Sequence, residues 1–220
     1  NAVSKTSAKE MLTPKFGFGL EGVLKNREPA IRGVLNGISQ NRWDPRSDEY
    51  IYHNYDQDDM EGKKKNKKEL QRELGLKDSD APLFSVVSRL VPNKGLELME
   101  PAFEYILKND NQLVILGSGE RFYEKMFVEL TEKYPRLVSV NLEFNEEKAR
   151  KIYAGSDIFL MPSRYEPCGL SQLIAMRYGT FRWSIRPEDW PIPLLMKPPT
   201  KIQEQALFSA NIRKTRLSEP

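Results

Sequence analysis

The chain has 220 residues, of which 39% are hydrophobic and 30% are charged, a composition typical of a folded domain rather than of a disordered chain. A single cysteine, Cys168, excludes a disulfide framework and a cysteine-rich zinc site, and a single histidine, His53, excludes a histidine-built metal centre. No apolar run reaches the roughly 18 residues of a transmembrane helix, so no membrane partner is expected. Because the sequence starts at Asn1 without a leader, we expect an inner part of a longer protein.

The net charge of +3 is confined to one end of the chain. Residues 181–220 hold seven basic and four acidic residues, whereas residues 1–180 hold 27 of each. A neutral body offers no electrostatic footprint for a polyanion, so nucleic acid is not an expected partner. The same 40 residues contain no glycine and six of the 15 prolines, which indicates a compositional break at Thr180.

Before that break, predicted helices and strands alternate. In chain order, helices are predicted over 5–12, 20–26, 63–74, 95–107, 120–133, 146–154 and 170–178, and strands over 30–35, 83–87, 112–116, 137–142 and 158–161. Residues 41–62 have the polar composition of a linker or long loop, and the lysines of 63–68 are expected to form a solvated helix face. The strands are continuous apolar runs, so the pattern predicts an α/β fold with a Rossmann-like, doubly wound parallel sheet.

In such sheets ligands bind beyond the carboxyl ends of the strands. Arg89 and Lys94 follow the 83–87 strand on one loop before a helix, where two cations suit a phosphate or diphosphate, although two solvated surface charges would give the same pattern. Gly117-Ser-Gly119 follows the next strand, and a plain tight turn is the favoured interpretation.

Glu166 follows the 158–161 strand and directly precedes a helix that begins near Gly169. Its carboxylate can hydrogen-bond sugar hydroxyls or stabilise positive charge at an anomeric carbon, or it can simply interact with the helix N-terminus. Cys168 lies in the same turn without a neighbouring histidine, so we expect a packing residue rather than a nucleophile. Phe144 can stack on a nucleobase or cap the core. His53 is expected to be a solvated bystander.

Several stretches resemble the bacterial glycogen synthase and plant starch synthase family, retaining glucosyltransferases of the GT-B fold. They are TPKFGFGLEGVL (13–24), GVLNGI (33–38), PLFSVVSRLVPNKG (82–95), QLVILGSG (112–119) and AGSDIFLMPSRYEPCGLSQLIAMRYGT (154–180). The resemblance implies transfer of glucose from ADP-glucose to the non-reducing end of an α-1,4-glucan with retention of configuration. It further implies ADP-glucose and the glucan as partners, and no cofactor and no metal.

Site residues carried over by this resemblance are found in both parts of the chain. Arg89 and Lys94 would neutralise the diphosphate as ADP departs, and Glu166 would face the donor glucose. The backbone around Cys168, Gly169 and Leu170 would help to hold that sugar. Asn36 would approach the donor from the other domain, and Phe144 would lie beside the nucleobase.

The resemblance also implies domain boundaries. Residues 1–39 would be the end of an N-terminal acceptor domain and a hinge, and residues 40–180 an incomplete C-terminal nucleotide-sugar domain. Ser39 stands where the family typically has aspartate, and Ile174 where wider relatives have a second glutamate. A bacterial enzyme of this kind would be cytoplasmic, and a plastid location stays open because a transit peptide would precede these residues.

Residues 181–220 depart from the family, and we expect them to have neither the strand nor the Thr-Gly-Gly-Leu loop with which the family continues. An unstable product would, for want of that strand, leave residues 158–161 more exposed. Read from the third base of each codon, permitted codons for residues 181–195 can give PVVHSTGGLADTVI, the continuation that the family would have. We therefore expect a frameshift in the gene or its sequencing. The alternatives to an enzyme fragment that is nearly inactive alone are a non-catalytic nucleotide-sugar-binding module and an unstable frameshifted product.

Overall fold

The structure, a computed structural model, describes residues 1–164 and 166–183. Within them five strands form one sheet in the order β3-β2-β1-β4-β5, and every neighbouring pair is parallel. The strands are β1 (Leu83–Val87), β2 (Gln112–Leu116), β3 (Val138–Asn141), β4 (Ile158–Leu160) and β5 (Phe181–Trp183). The parallel α/β sheet predicted from the sequence is confirmed.

Eight α-helices connect or precede these strands in the described part of the chain. They are α1 (Lys5–Glu10), α2 (Pro14–Gly17), α3 (Glu21–Lys25), α4 (Glu61–Glu73), α5 (Glu100–Lys108), α6 (Arg121–Lys133), α7 (Glu146–Gly155) and α8 (Leu170–Arg177). The helix predicted over 95–107 begins only at Glu100, because Pro101 lacks a backbone N–H and is tolerated in the first turn alone. No described helix is both long and apolar enough to cross a membrane.

Helices cover both faces of the sheet. On one face Val86 of β1 packs in a cluster with Phe103 of α5 and Phe127 of α6, whose ring centroids lie 5.6 Å apart. On the other face Val114 of β2 packs in a cluster with residues of α4, α7 and α8, including the fully buried Tyr178 at the end of α8. Successive strand residues thus point to opposite cores, as the continuous apolar runs predict.

The strand predicted over residues 30–35 is wrong. In that stretch only Gly33 forms a bridge, to Ala2, and Glu28–Ala30 is a single 3₁₀ turn. An apolar run forms a strand only where a neighbouring strand pairs with it over several residues. In the described chain, residues 30–35 have no such neighbouring strand. The nearby apolar side chains of Phe18, Val34 and Leu35 are exposed.

The region predicted to be a linker or long loop is a loop packed onto the sheet domain. Residues 40–60, called here the docked segment, contain neither helix nor strand, yet Ile51 and Tyr55 are buried among the side chains of the second core. The Tyr55 hydroxyl donates a 2.8 Å hydrogen bond to the backbone carbonyl of Tyr178, and burial raises the pKa of that hydroxyl. The segment therefore belongs to the body of the domain.

A buried ion pair fastens the docked segment. Arg150 of α7 donates to Asp48 at 3.0 Å, and their side chains are 6% and 1% exposed. Asp48 also accepts a hydrogen bond from the Tyr178 hydroxyl. The guanidinium lies 4.1 Å from the ring centroid of Trp43. Two charges removed from water in this way stabilise the fold only while both partners are present.

The expectation that the sheet would lack its next strand is also wrong. Phe181–Trp183 forms β5, whose backbone pairs with β4 in the register Ile158↔Phe181 to Leu160↔Trp183. The three β4 residues are accordingly at most 4% exposed. Thr180 fixes the start of β5, because its hydroxyl donates to the backbone carbonyls of Tyr153 and Ser156. Residues 184–220 of the proposed frameshifted stretch lie outside the described residues.

The lysines of α4 do not all form a solvated face, contrary to the prediction. Lys63 donates to the backbone carbonyls of Tyr153, Ala154 and Tyr178, which lie near the ends of α7 and α8. Lys67, 11% exposed at its side chain, pairs with Asp157 at 2.6 Å. A cation is favoured at helix C-termini, where unpaired carbonyls carry partial negative charge.

Candidate functional site

Two segments at the carboxyl edge of the sheet bring the charged site residues together. The lysine loop (residues 88–97) follows β1, and the glutamate turn (residues 161–169) follows β4. Because β1 and β4 are neighbours in the sheet, the two segments lie side by side. The sequence places their charges 72 residues apart, and the topology makes them one cluster.

Gly95 allows the lysine loop to approach the glutamate turn. Its φ is +64°, and a Cβ added there would lie 2.4 Å from the carbonyl oxygen of Pro162. Neither the backbone conformation nor the space suits another residue. The loop therefore presents Lys94 directly towards the turn.

Glu166 is the centre of the cluster. Its Oε2 accepts a 2.6 Å hydrogen bond from Lys94 Nζ and a 3.2 Å bond from Ser163 Oγ, while its Oε1 accepts the backbone N–H of Gly169 at 3.2 Å. The Lys94 and Glu166 side chains are 19% and 22% exposed, so the pair is shielded but reachable. The carboxylate is thus held rigidly while still bordering solvent.

The beginning of α8 faces the same place. Gly169 precedes the helix with φ +73°, and a Cβ there would lie 2.0 Å from Nε2 of Gln172. The Sγ of Cys168 lies 3.8 Å from the backbone carbonyl oxygen of Asn36, so the chain before the docked segment reaches the turn. Leu170 is 42% exposed at the helix start. Backbone N–H groups at a helix N-terminus favour negatively charged ligand groups.

Arg89 and Phe144 follow β1 and β3 at the same edge of the sheet, and both side chains are exposed. Arg89 is exposed on the lysine loop, and nothing in residues 1–164 or 166–183 forms an ion pair or hydrogen bond with its guanidinium. Phe144 lies between β3 and α7 and is 95% exposed, so of its two predicted roles the core cap is wrong. A guanidinium and an aromatic ring left in solvent are both available to a ligand.

The remaining sequence candidates are a structural turn and a solvated side chain. Leu90 exchanges backbone hydrogen bonds with Ser118 and Glu120, and the N–H of Gly119 donates to Glu124 at 2.9 Å, which makes this segment a braced turn. His53 is exposed, as predicted. Neither feature brings a reactive group to the cluster.

Three side chains at the site, those of Ser163, Arg164 and Glu97, were not predicted from the sequence. Ser163 lies three residues before Glu166, so its hydrogen bond could have been inferred from the spacing alone. Arg164 pairs with Glu97 at 2.7 Å across the two segments, and no local pattern in the sequence indicates that contact. A pocket between the segments is lined by Lys94, Glu166 and the ends of β1 and β4.

The arrangement combines an anion-binding edge with one fixed carboxylate. Lys94, the exposed Arg89 and the start of α8 all attract negative charge such as that of a diphosphate. Glu166 offers the opposite charge a few ångströms away, where it can accept hydrogen bonds from hydroxyls or stabilise a developing cation. A ligand with a diphosphate next to a sugar matches this separation of charge.

Residues 67–182 match the family described as glycosyl transferases group 1. The chain belongs to this family. It is 52% identical over 180 residues to a glycogen synthase of Fervidobacterium nodosum, a match that covers 82% of this chain and 37% of that protein. It is 49% identical over 181 residues to the glycogen synthase of Thermotoga maritima, with the same two coverages. The chain thus spans just over a third of the curated relatives that it matches.

A solved structure is similar over nearly the whole chain. It is the catalytic domain of starch synthase IV from Arabidopsis thaliana bound to ADP and acarbose, 31% identical with a TM-score of 0.79, and the match covers 99% of this chain and 48% of that one. The predicted resemblance and the GT-B type of α/β fold are confirmed.

Proposed function

We propose that the chain is the donor-nucleotide part of a glycogen or starch synthase. That enzyme would transfer glucose from ADP-glucose to the non-reducing end of an α-1,4-glucan, with retention of configuration. The observation that carries the proposal is the pairing of Lys94 with Glu166 on the loop that also exposes Arg89, at the sheet edge within the family match. The glycogen synthase relatives and the ADP bound in the plant neighbour support the choice of donor.

The charged residues have two tasks in this proposal. Arg89 and Lys94 neutralise the diphosphate, so that ADP can leave with its negative charge compensated. The start of α8, with the backbone of Cys168, Gly169 and Leu170, holds the donor.

Glu166 faces the glucose and stabilises the positive charge that develops at the anomeric carbon. The ring of Phe144 stacks on the nucleobase, and Asn36 approaches the donor from the other side of the cleft. Since the 2.6 Å contact with Glu166 occupies Lys94 before the donor binds, diphosphate binding exchanges one anionic partner of that lysine for another.

The domain boundaries remain part of the proposal. Residues 1–39 are the end of an acceptor domain and a hinge, residues 40–180 are the nucleotide-sugar domain, and residues 181–220 derive from a frameshift. The matches to the curated relatives extend over only 178 to 181 of the 220 residues, the family match ends at residue 182, and together with the readable alternative frame they support the last point. Because transfer takes place between two domains, we expect the chain to be nearly inactive alone. Sequencing the source DNA across codons 175–200 tests the frameshift, and a DNA sequence in which the shifted frame does not encode the family continuation contradicts it.

A chimera tests the transfer itself. Residues 1–180 replace the matching segment of Thermotoga maritima glycogen synthase, and incorporation of labelled glucose from ADP-glucose into glycogen is measured. We expect the chimera to extend glycogen, and Glu166→Gln to abolish extension while ADP still binds. A folded chimera that binds ADP but transfers no glucose would support the non-catalytic binding module instead.

A further inference from the structure

The lysine loop and the glutamate turn are joined by a second set of contacts behind the Lys94–Glu166 pair. The Nη2 of Arg164 donates to Glu97 Oε1 at 2.7 Å, and the backbone N–H of Arg164 donates to the carbonyl of Asn93 at 3.1 Å. Glu97 is thus the loop's carboxylate and Arg164 is the turn's cation. The charges are reversed relative to the Lys94–Glu166 pair, in which the loop supplies the cation and the turn the carboxylate.

Glu97 is itself held in place from a third element. Its Oε2 accepts a 3.1 Å hydrogen bond from the hydroxyl of Tyr123, a residue of α6 that is 4% exposed. Burial, followed by this hydrogen bond, raises the pKa of Tyr123, so the hydroxyl keeps its proton for donation. A buried donor fixes one oxygen of Glu97, which leaves the other in position for Arg164.

We propose that Glu97 and Arg164 are positioning residues that keep the Lys94 loop against the Glu166 turn when a diphosphate draws Lys94 away from Glu166. This inference rests on the proposed function. Between these two segments the described residues form two ion pairs, Lys94–Glu166 and Arg164–Glu97. Binding of the donor disrupts the first, so the second carries the alignment in the bound state. Neither Glu97 nor Arg164 touches the substrate.

The proposal predicts a larger effect on binding than on folding. The Arg164 and Glu97 side chains are 51% and 28% exposed, and such pairs contribute up to about 1 kcal/mol, which corresponds to a loss of about fivefold in affinity. In the free protein the Lys94–Glu166 pair and Gly95 still hold the loop, so thermal stability should change little.

The test uses the full 220-residue chain with Glu97→Gln, Arg164→Gln and the exchanged pair Glu97→Arg with Arg164→Glu. The matched control is Glu104→Gln. Glu104 accepts hydrogen bonds from a cation and a tyrosine, Lys133 and Tyr134, as Glu97 does from Arg164 and Tyr123. The side chains of Lys133 and Glu104 are 57% and 25% exposed, close to the values for Arg164 and Glu97. ADP affinity is measured by calorimetry, and protection of the backbone N–H of residue 164 is measured by hydrogen exchange in the ADP-bound chain.

Each single variant should bind ADP three- to fivefold more weakly and exchange the Arg164 amide several times faster, and the exchanged pair should restore both. Glu104→Gln should leave both unchanged. Unchanged amide exchange in the single variants, or an exchanged pair as defective as they are, overturns the proposal. If the unmodified chain binds no ADP, the proposed function fails, and amide exchange in Lys94→Ala variants, which lack the first pair, still decides whether Glu97 and Arg164 align the two segments.

Discussion

Replacing Arg150 with methionine removes the guanidinium that joins the docked segment to α7 but retains an apolar stem. The lost contacts are the ion pair with Asp48, a 2.6 Å hydrogen bond to the carbonyl of Arg42, a 2.8 Å bond to Glu146 and the ring of Trp43. Asp48 would remain buried without its cation. Breaking a buried pair in this way costs about 3–5 kcal/mol, which for a chain of this length lowers the melting temperature by roughly 6–20 °C.

The assay is thermal unfolding followed by circular dichroism at neutral pH. Glu129→Gln is the control, since it breaks an exposed pair with Lys125 whose side chains are 62% and 74% exposed, and it should shift the midpoint by about 2 °C or less. Asp48→Asn combined with Arg150→Met should cost less than the sum of the two single changes, because no uncompensated buried charge is left. A shift no larger than the control, or additive single changes, refutes this reasoning.

Three further predictions concern the site and one surface pair. Gly95→Ala should reduce the free energy of unfolding by about 1–3 kcal/mol, seen as a lower melting temperature, because the added Cβ meets a carbonyl oxygen at 2.4 Å. The same variant should bind ADP more weakly in calorimetry. Glu166→Gln should bind ADP about fivefold more tightly in calorimetry, since Lys94 loses its competing anion, whereas Lys94→Ala should bind more weakly; equal affinities contradict this. Hydrogen bonds, above all from Lys133, lower the pKa of Glu104 from 4.5 to about 2. Glu104→Gln should therefore reduce the free energy of unfolding in urea above pH 4.5, and the difference between variant and unmodified chain should shrink as the pH falls towards 2.

The strands and helices that local patterns specify were predictable. The runs LFSVV and QLVIL form strands at the predicted residues, because side chains buried on both faces leave a continuous apolar signal. The rule that ligands bind at the carboxyl ends of parallel strands located both Lys94 and Glu166. Their direct contact follows from the adjacency of β1 and β4, which the order of elements along the chain does not specify.

What the sequence did not indicate depends on distant partners. Asp48 and Arg150 are 102 residues apart, and the polar composition around Asp48 is that of a loop whether or not it packs on a domain. Strand β5 is only three residues long and precedes a proline-rich stretch, so its pairing with β4 has no periodic signal. The Arg164–Glu97 pair, 67 residues apart, was missed for the same reason.

Binding of ADP to the 220-residue chain, measured by isothermal calorimetry alongside UDP and with Arg89→Ala, tests most directly whether this sheet edge is a nucleotide-sugar site. Binding of ADP in preference to UDP is expected. Loss of the exposed guanidinium should weaken ADP binding about 10- to 100-fold, the effect of removing about 1.5–3 kcal/mol of charge-assisted hydrogen bonding. A chain that unfolds cooperatively yet binds neither nucleotide, or an Arg89→Ala variant with unchanged affinity for ADP, would contradict the assignment of this site.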